Sequence, residues 1–220
     1  MKISKRLQKI NQMITKHYDH IWDCCCDHGL LGQTLLARSA ADTIHFVDIV
    51  EPLMRDLQQR LEGLTTSNSH WKVHCSDVAS IPLINDCSQK NLIIIAGVGG
   101  DLLIQLVQSI LDKHPNRELE FLLCPVHHNY KVRHALIQLR LGLIDESLVH
   151  DNKRFYEVLH VSTSSNKKLS PVGSLMWDFT RKEDNDYLTK TVEHYQRRNK
   201  NNDPITSQII HEYSALVESL

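Results

Sequence analysis

The chain has 220 residues, 41% hydrophobic and 23% charged, and its 25 Lys and Arg against 26 Asp and Glu leave a formal charge of −1. That composition excludes disordered, collagen-like and low-complexity chains and supplies enough apolar residue for one full domain with a small appendage. It also excludes a uniformly basic nucleic-acid binder, while a locally basic face stays open.

Residues 2–17 read as a helix, with Ile3, Leu7, Ile10 and Ile14 on one face and Lys2, Lys5, Arg6, Lys9 and Lys16 on the other. That basic face is either solubilising or phosphate-contacting. A strand–helix alternation follows. His20–Cys26 reads as a strand, Asp27–Gly29 as a turn and Leu30–Ala40 as a helix. Thr43–Asp48 is a second strand, and Pro52–Leu64 is a helix opened by proline and striped by Leu53, Leu57 and Leu61. Trp71–Cys75, Leu92–Ala96 and Glu120–Cys124 are further strands, the fully apolar Leu92–Ala96 being central. Asp101–Lys113 and Asn129–Leu141 are helices.

Two strand-like runs, Gly142–Val149 and Arg154–Val161, flank the short polar turn His150–Lys153 and must pair antiparallel. Five βα units closed by a β-hairpin make a doubly wound α/β sheet. Ser162–Ser174 reads as a linker. Glu183–Arg198 and Pro204–Leu220 then form a helical hairpin, the second helix capped by Asp203 and striped by Ile205, Ile209, Tyr213, Leu216 and Leu220. No apolar run reaches the ~18 residues of a membrane span, and no apolar signal core is visible. The six cysteines are Cys24, Cys25, Cys26, Cys75, Cys87 and Cys124. Three are consecutive and cannot pair with one another without strain, so reduced thiols in a cytoplasm are expected. With no C-x-x-C pair beside Cys24, Cys26 and His28, no metal is expected.

Ligands of such sheets bind outside the carboxyl ends of the strands. There the sequence offers Asp23 and Asp27-His28-Gly29 after strand one, Asp48 after strand two, Asp77 after strand three and Ala96-Gly97-Val98-Gly99-Gly100 after strand four. Acids at strand ends often cap only the next helix. Acids and glycines at four successive ends together suit an adenosine ligand, with Asp48 for the ribose hydroxyls and Asp77 for the adenine amino group. A dinucleotide would need G-x-G-x-x-G where this chain has Cys25-Cys26-Asp27-His28-Gly29, and no G-x-x-x-x-G-K-[ST] loop occurs. S-adenosyl-L-methionine is cationic and phosphate-free, which suits Asp23 and Asp27.

Four motifs in order carry a family resemblance: Ser4-Lys-Arg-Leu7, Asp23-x-x-x-Asp27-His28, Ile95-Ala-Gly-Val-Gly-Gly100 and Lys153-Arg-Phe-Tyr-Glu157. Over residues 3–161 the chain resembles the bacterial tRNA adenine-N1 methyltransferases of the TrmK type. The resemblance implies a Rossmann-like methyltransferase domain over 1–162 and a coiled-coil-like helical unit over 163–220. It implies S-adenosyl-L-methionine as cofactor and tRNA as partner, with methylation of ring N1 of adenine 22 in the D-arm. By position, Asp23, Cys25, Asp27, Asp48, Ile49, Asp77, Val78, Ala96 and Gly97 would line the cofactor site. Arg6, Lys5, Gly99, Gly100, Lys153 and Tyr156 would face substrate.

The chain departs from the family at Cys25 (usually glycine), Gly29 (alanine), Val98 (methionine) and Cys124-Pro-Val-His-His128 (a Gln-Pro-Asn segment). Ring N1 has an in-plane lone pair and needs placement more than deprotonation. Asp27, then His28, is the candidate to stabilise the cationic product or take its proton; the alternative is that Asp27 holds the cofactor amino group and His28 braces the turn. Basic surface would come from Lys5, Arg6, Lys9, Lys131, Arg133, Arg140, Lys153 and Arg154. Residues 176–220, six basic against eight acidic, look a poor phosphate clamp. A methyltransferase acting on another RNA, a small molecule or a protein, and a non-catalytic cofactor-binding fold, remain the alternatives.

Overall fold

The computed structural model describes residues 3–64, 70–83 and 88–218, with the backbone alone at 64, 217 and 218. Lys2, Cys87 and Leu220, singled out above, lie outside them. Helix α1 runs Lys5–Met13 and β1 Tyr18–Cys24, followed by α2 Leu30–Ala37, β2 Ala41–Asp48, α3 Glu51–Leu64 and β3 Trp71–Cys75. Next come β4 Asn91–Ala96, α4 Gly100–Lys113, β5 Leu119–Cys124, α5 Asn129–Gln138, the hairpin β6 Gly142–Asp151 and β7 Arg154–Ser162, then α6 Lys182–Arg198 and α7 Pro204–Glu218.

The seven strands form one sheet in the order β3-β2-β1-β4-β5-β7-β6, with only β7 antiparallel to its neighbours. This is a Rossmann-like methyltransferase sheet. Strand order reverses between β1 and β4, so the carboxyl ends of those two strands frame the crevice where ligands of such sheets bind. Leu92, Ile93, Ile94 and Ile95 are fully buried because alternate residues of β4 meet a separate core on each face. Among the described residues, no helix is long and apolar enough to cross a membrane.

Several expectations change. Strand β1 starts two residues early and stops at Cys24, so Cys25 and Cys26 belong to the turn, not to a buried strand. The first helix is shorter than its periodicity: Ser4 caps it through Leu7 N–H and it ends at Met13, freeing Ile14 to bury independently. After β3 the chain makes a 3-10 turn at Val78–Ser80, capped by Asp77, where a full βα unit was expected. Ser162–Ser174 is packed rather than free, with Leu169 and Val172 buried. Gly142 admits that segment, since a Cβ there would fall 1.9 Å from the Ser165 carbonyl oxygen. The predicted cap of α7 is present: Thr206 N–H donates to Asp203 at 2.8 Å.

Arg133 is the largest correction. Counted above as basic surface, its side chain is fully buried. Its Nε meets Glu157 at 2.6 Å, and its Nη2 pairs with Glu146 at 2.7 Å, without the alignment of a hydrogen bond. Nη1 donates to Ser170 O, Glu157 accepts from Tyr187 Oη, and Glu146 accepts from Ser174 and Leu175 N–H. One cation therefore ties α5, the hairpin, the 163–181 segment and α6 together. Without it both anions would keep these hydrogen bonds but lose their buried countercharge. Arg133→Met is expected to cost about 3–5 kcal/mol in urea denaturation. In an E146Q/E157Q background the same change is expected to cost much less, since no uncompensated charge remains.

Candidate active site

The turn after β1 is tightly wound. Cys25, Asp27 and Gly29 all have positive φ, at 55°, 51° and 67°. A left-handed L-residue costs roughly 1–2 kcal/mol, so the neighbours must hold the two non-glycine residues in place. Cys26 N–H donates to Val47 O and Gly29 N–H to Cys26 O. Asp27 N–H donates to Asp48 Oδ2 at 3.1 Å, and the other Asp48 oxygen accepts from Val50 N–H at 3.1 Å. Asp48 thus stitches the tip of β2 to the turn after β1. Cys25, where the resembling family carries glycine, occupies a conformation that glycine enters freely.

Asp23 lies beneath this turn, 4% exposed. The one hydrogen bond it receives among the described residues comes from Gly32 N–H, at 2.8 Å. Burial lifts its pKa to about 7, the Gly32 bond opposes the shift, and the Asp48 charge adds to it. Burial, then the carboxylates of Asp48, Asp23 and Asp77, pushes the Cys25 thiol up to about 11, so it stays protonated and unreactive at neutral pH.

A cavity of about 180 Å³ opens above Asp23, lined by Arg6, Leu7, Cys25, Asp27, Ala96 and Gly97, with Cys26, His28, Leu30 and Leu31 completing the wall. Gly97 (φ 87°) faces the Arg6 guanidinium: a Cβ there would fall 3.5 Å from its nitrogens. The Arg6 guanidinium lies over the Tyr156 ring, 5.0 Å from its centroid, and its backbone N–H donates to Asp151. Helix α1 and the β6–β7 turn therefore hold Arg6 at the mouth. Asp27 and His28 are exposed there, 3.7 Å apart.

The structure brings Asp23, Cys25, Asp27, His28, Ala96, Gly97 and Arg6 around this one cavity, with Tyr156 behind Arg6. Asp48 adjoins it through Asp27. Ile49, 70% exposed, and Asp77, which gives one oxygen to Ala79 N–H, do not line the cavity. The Val78 side chain is in the core, which leaves its backbone as the only part to face a ligand. Gly99 and Gly100 pack against His127 and do not line the cavity: a Cβ on either would strike that residue, its ring at Gly99 and its carbonyl oxygen at Gly100. Lys5 and Lys153 are exposed outside the cavity. Arg140 precedes β6, at the opposite end of the sheet.

Gly32, Leu7, Cys26, Leu30 and Leu31 escaped the sequence reading. Gly32 carried a signal, a glycine inside a helix. A Cβ there would fall 2.3 Å from the Phe46 ring and 2.9 Å from Asp23 Oδ2, so only glycine lets the N–H reach that carboxylate. At a cavity of about 180 Å³, below the roughly 300–1,000 Å³ of most ligand sites, only part of a nucleoside-sized ligand fits inside.

A family model described as "methyltransferase domain" matches residues 3–159. The tRNA (adenine(22)-N(1))-methyltransferase of Bacillus subtilis (strain 168) is 29% identical over 161 residues; the match takes in 72% of this chain and 64% of that protein, so the chain spans less than two thirds of the relative's length. Among solved structures, the Streptococcus pneumoniae protein Sp1610 in complex with S-adenosyl-L-methionine is 20% identical, with a TM-score of 0.79 over 97% of this chain and 99% of that one. The structure of M. capricolum TrmK in complex with S-adenosyl-homocysteine is 13% identical, with a TM-score of 0.74 over 99% of each chain. These structural likenesses are of fold.

The raised pKa of Asp23 has a definite sign. Between about pH 4 and pH 7 the folded protein holds a proton that the unfolded chain has released, so this group's contribution to stability falls as pH rises through that window. Asp23→Asn removes the dependence. Relative to the parent, the variant is expected to gain on the order of 2 kcal/mol between pH 5 and pH 8 in urea denaturation without ligand. A difference that does not change with pH would overturn the assignment.

Proposed function

The chain belongs to the methyltransferase-domain family, and from that premise we propose that it transfers the methyl group of S-adenosyl-L-methionine to ring N1 of adenine 22 in the D-arm of tRNA. The observation that carries the reading is the buried Asp23 carboxylate facing a cavity at the switch point, with Asp27 at its rim and Gly97 opposite. A cationic, phosphate-free ligand suits that donor set, and a pyrophosphate does not. The curated relative's activity supports the choice of substrate.

The cofactor supplies the methyl group; placement falls to the chain. Asp23 is suited to the ammonium group of the methionine part, Asp48 to the ribose hydroxyls and Ile49 to an apolar face of the base. Asp77 has one carboxylate oxygen engaged with Ala79 N–H, which leaves the other for the adenine amino group. The backbone at Ala96–Gly97 admits close approach. The target N1 attacks through its in-plane lone pair, so no general base is needed before transfer. Asp27, exposed at the mouth, is placed to offset the positive charge left on the methylated adenine, with His28 beside it. Arg6, braced by Tyr156, is the cation nearest the gap through which a nucleotide would enter. On this reading residues 1–162 are the catalytic unit and 163–220 an appended helical unit, and the protein works on tRNA in the cytoplasm.

Labelled S-adenosyl-L-methionine and unmodified bulk tRNA, followed by nucleoside analysis, test the activity. The expected product is 1-methyladenosine, reduced at least about tenfold by Asp48→Ala, which also cuts the two backbone bonds shaping the turn, and by Asp27→Ala. A different methylated nucleoside would refute the target, and no transfer to any RNA would refute the reading. Cofactor affinity carries a second test. A cation favours ionised Asp23, so binding at pH 6 should release a proton and weaken as pH falls below about 7. Calorimetry in two buffers of different ionisation enthalpy reads that proton, and Asp23→Asn should abolish both the release and most of the affinity.

A further inference from the structure

A second and larger cavity, about 520 Å³, lies between the start of α5, the β6–β7 turn and the pair α6–α7. Arg154, Lys190 and Arg198 line it, with His127, His128 and His194 between them. Among the described residues that line it, none is acidic. That is unexpected in a chain of formal charge −1, and more so beside a C-terminal segment in which acids outnumber bases.

The neighbouring carboxylates are already engaged. Glu157 is buried against Arg133 and Tyr187, Asp101 is bridged by Lys131 and His128, and Glu212 accepts from Tyr130 and Gln208. The acids of α6 at its first turn, Glu183 and Asp184, line a different hollow. Lys190, His194 and Arg198 recur at four-residue spacing along the groove side of α6, and the other acids of that helix, Asp186 and Glu193, do not line the groove. Net charge over residues 176–220 does not describe this groove, whose walls carry Lys190, His194 and Arg198 from α6 and no acid among the described residues that line it.

The groove also adjoins the candidate active site. Tyr156 braces Arg6 at that site, while Phe155, one residue earlier and on the opposite side of β7, lines the groove. The His127 ring lies against Gly99, two residues beyond the Gly97 that borders the first cavity. We propose that this groove holds the RNA backbone flanking the target nucleotide, with phosphates on Lys190, Arg198 and Arg154. The proposal rests on the RNA-directed reading above and names the contact surface for that substrate.

The test is tRNA affinity as a function of salt for the parent chain, Lys190→Glu/Arg198→Glu, Lys190→Arg/Arg198→Lys, and a control with the same charge change, Lys167→Glu/Lys168→Glu, at the opposite end of the sheet. Each lost phosphate contact removes roughly 0.7–0.9 from the slope of log affinity against log salt. The groove reversal should weaken tRNA binding at least about tenfold and lower the slope by roughly 1.5, with cofactor affinity unchanged as evidence of an intact fold. The charge-keeping exchange should retain binding, and the control should lose far less. Equal losses in groove and control variants would mean a net-charge effect and overturn the proposal, as would no loss in either. A parent chain that methylates no RNA would instead remove the underlying reading, and that result needs no variant.

Discussion

Asp23 is buried near the carboxyl end of the interior strand β1, with one backbone N–H to accept from among the described residues, and that costs free energy which the unliganded fold must absorb. Burial raises its pKa to about 7. Gly32 must be bare so that its N–H can reach the carboxylate, and Phe46 packs in the space a side chain there would need. The turn above is held in left-handed conformations at Cys25 and Asp27 by bonds to Val47 and Asp48. On the proposed reading, a poorly solvated anion under a constrained turn favours a cationic group, because a cation relieves a penalty already incurred. Stability and binding therefore pull in opposite directions at this position, as they do at many functional sites.

A second buried charge group does a different task. Arg133 between Glu146 and Glu157 does not face the site, yet it fixes the hairpin and α6 in relation to α5. Tyr187, bonded to Glu157, is also a wall of the basic groove. The same contacts that close the core thus set the position of the cations on α6. The hairpin is the shared element: Asp151 and Tyr156 hold α1 and Arg6, while Arg154 and Phe155 face the groove. A short antiparallel addition to a parallel sheet links both candidate surfaces.

Much of the fold was legible in residue order. Leu92–Ala96 reads as a central strand because it lacks any polar alternation, and it is buried on both faces. Asp203-Pro204 marks a helix start and is one. The acids and glycines after β1, β2 and β4 were also legible as a candidate site, since strand ends of such sheets converge, and Asp23, Asp27 and Gly97 do line one cavity. Less legible were places where local pattern and long-range packing disagree. Cys25 and Cys26 look like strand residues, but the bonds that Cys26 N–H gives to Val47 O and Asp27 N–H gives to Asp48, both on the neighbouring β2, turn the chain away after Cys24. Ser162–Ser174 has a linker's composition, yet it fills the space that Gly142 leaves open.

By itself, the sequence determined the order and type of most elements, and it pointed to a candidate site at the switch point with acids at the strand ends. These follow from periodicity, turn chemistry and sheet topology, which act over short stretches or obey general rules of connection. Only the tertiary structure decided which charges are buried, which face outward and which share a groove. Arg133 and Arg154 are alike in sequence, but one is enclosed by Glu146 and Glu157 and the other faces solvent. The environment of a charge is set by partners distant along the chain, and composition cannot place them.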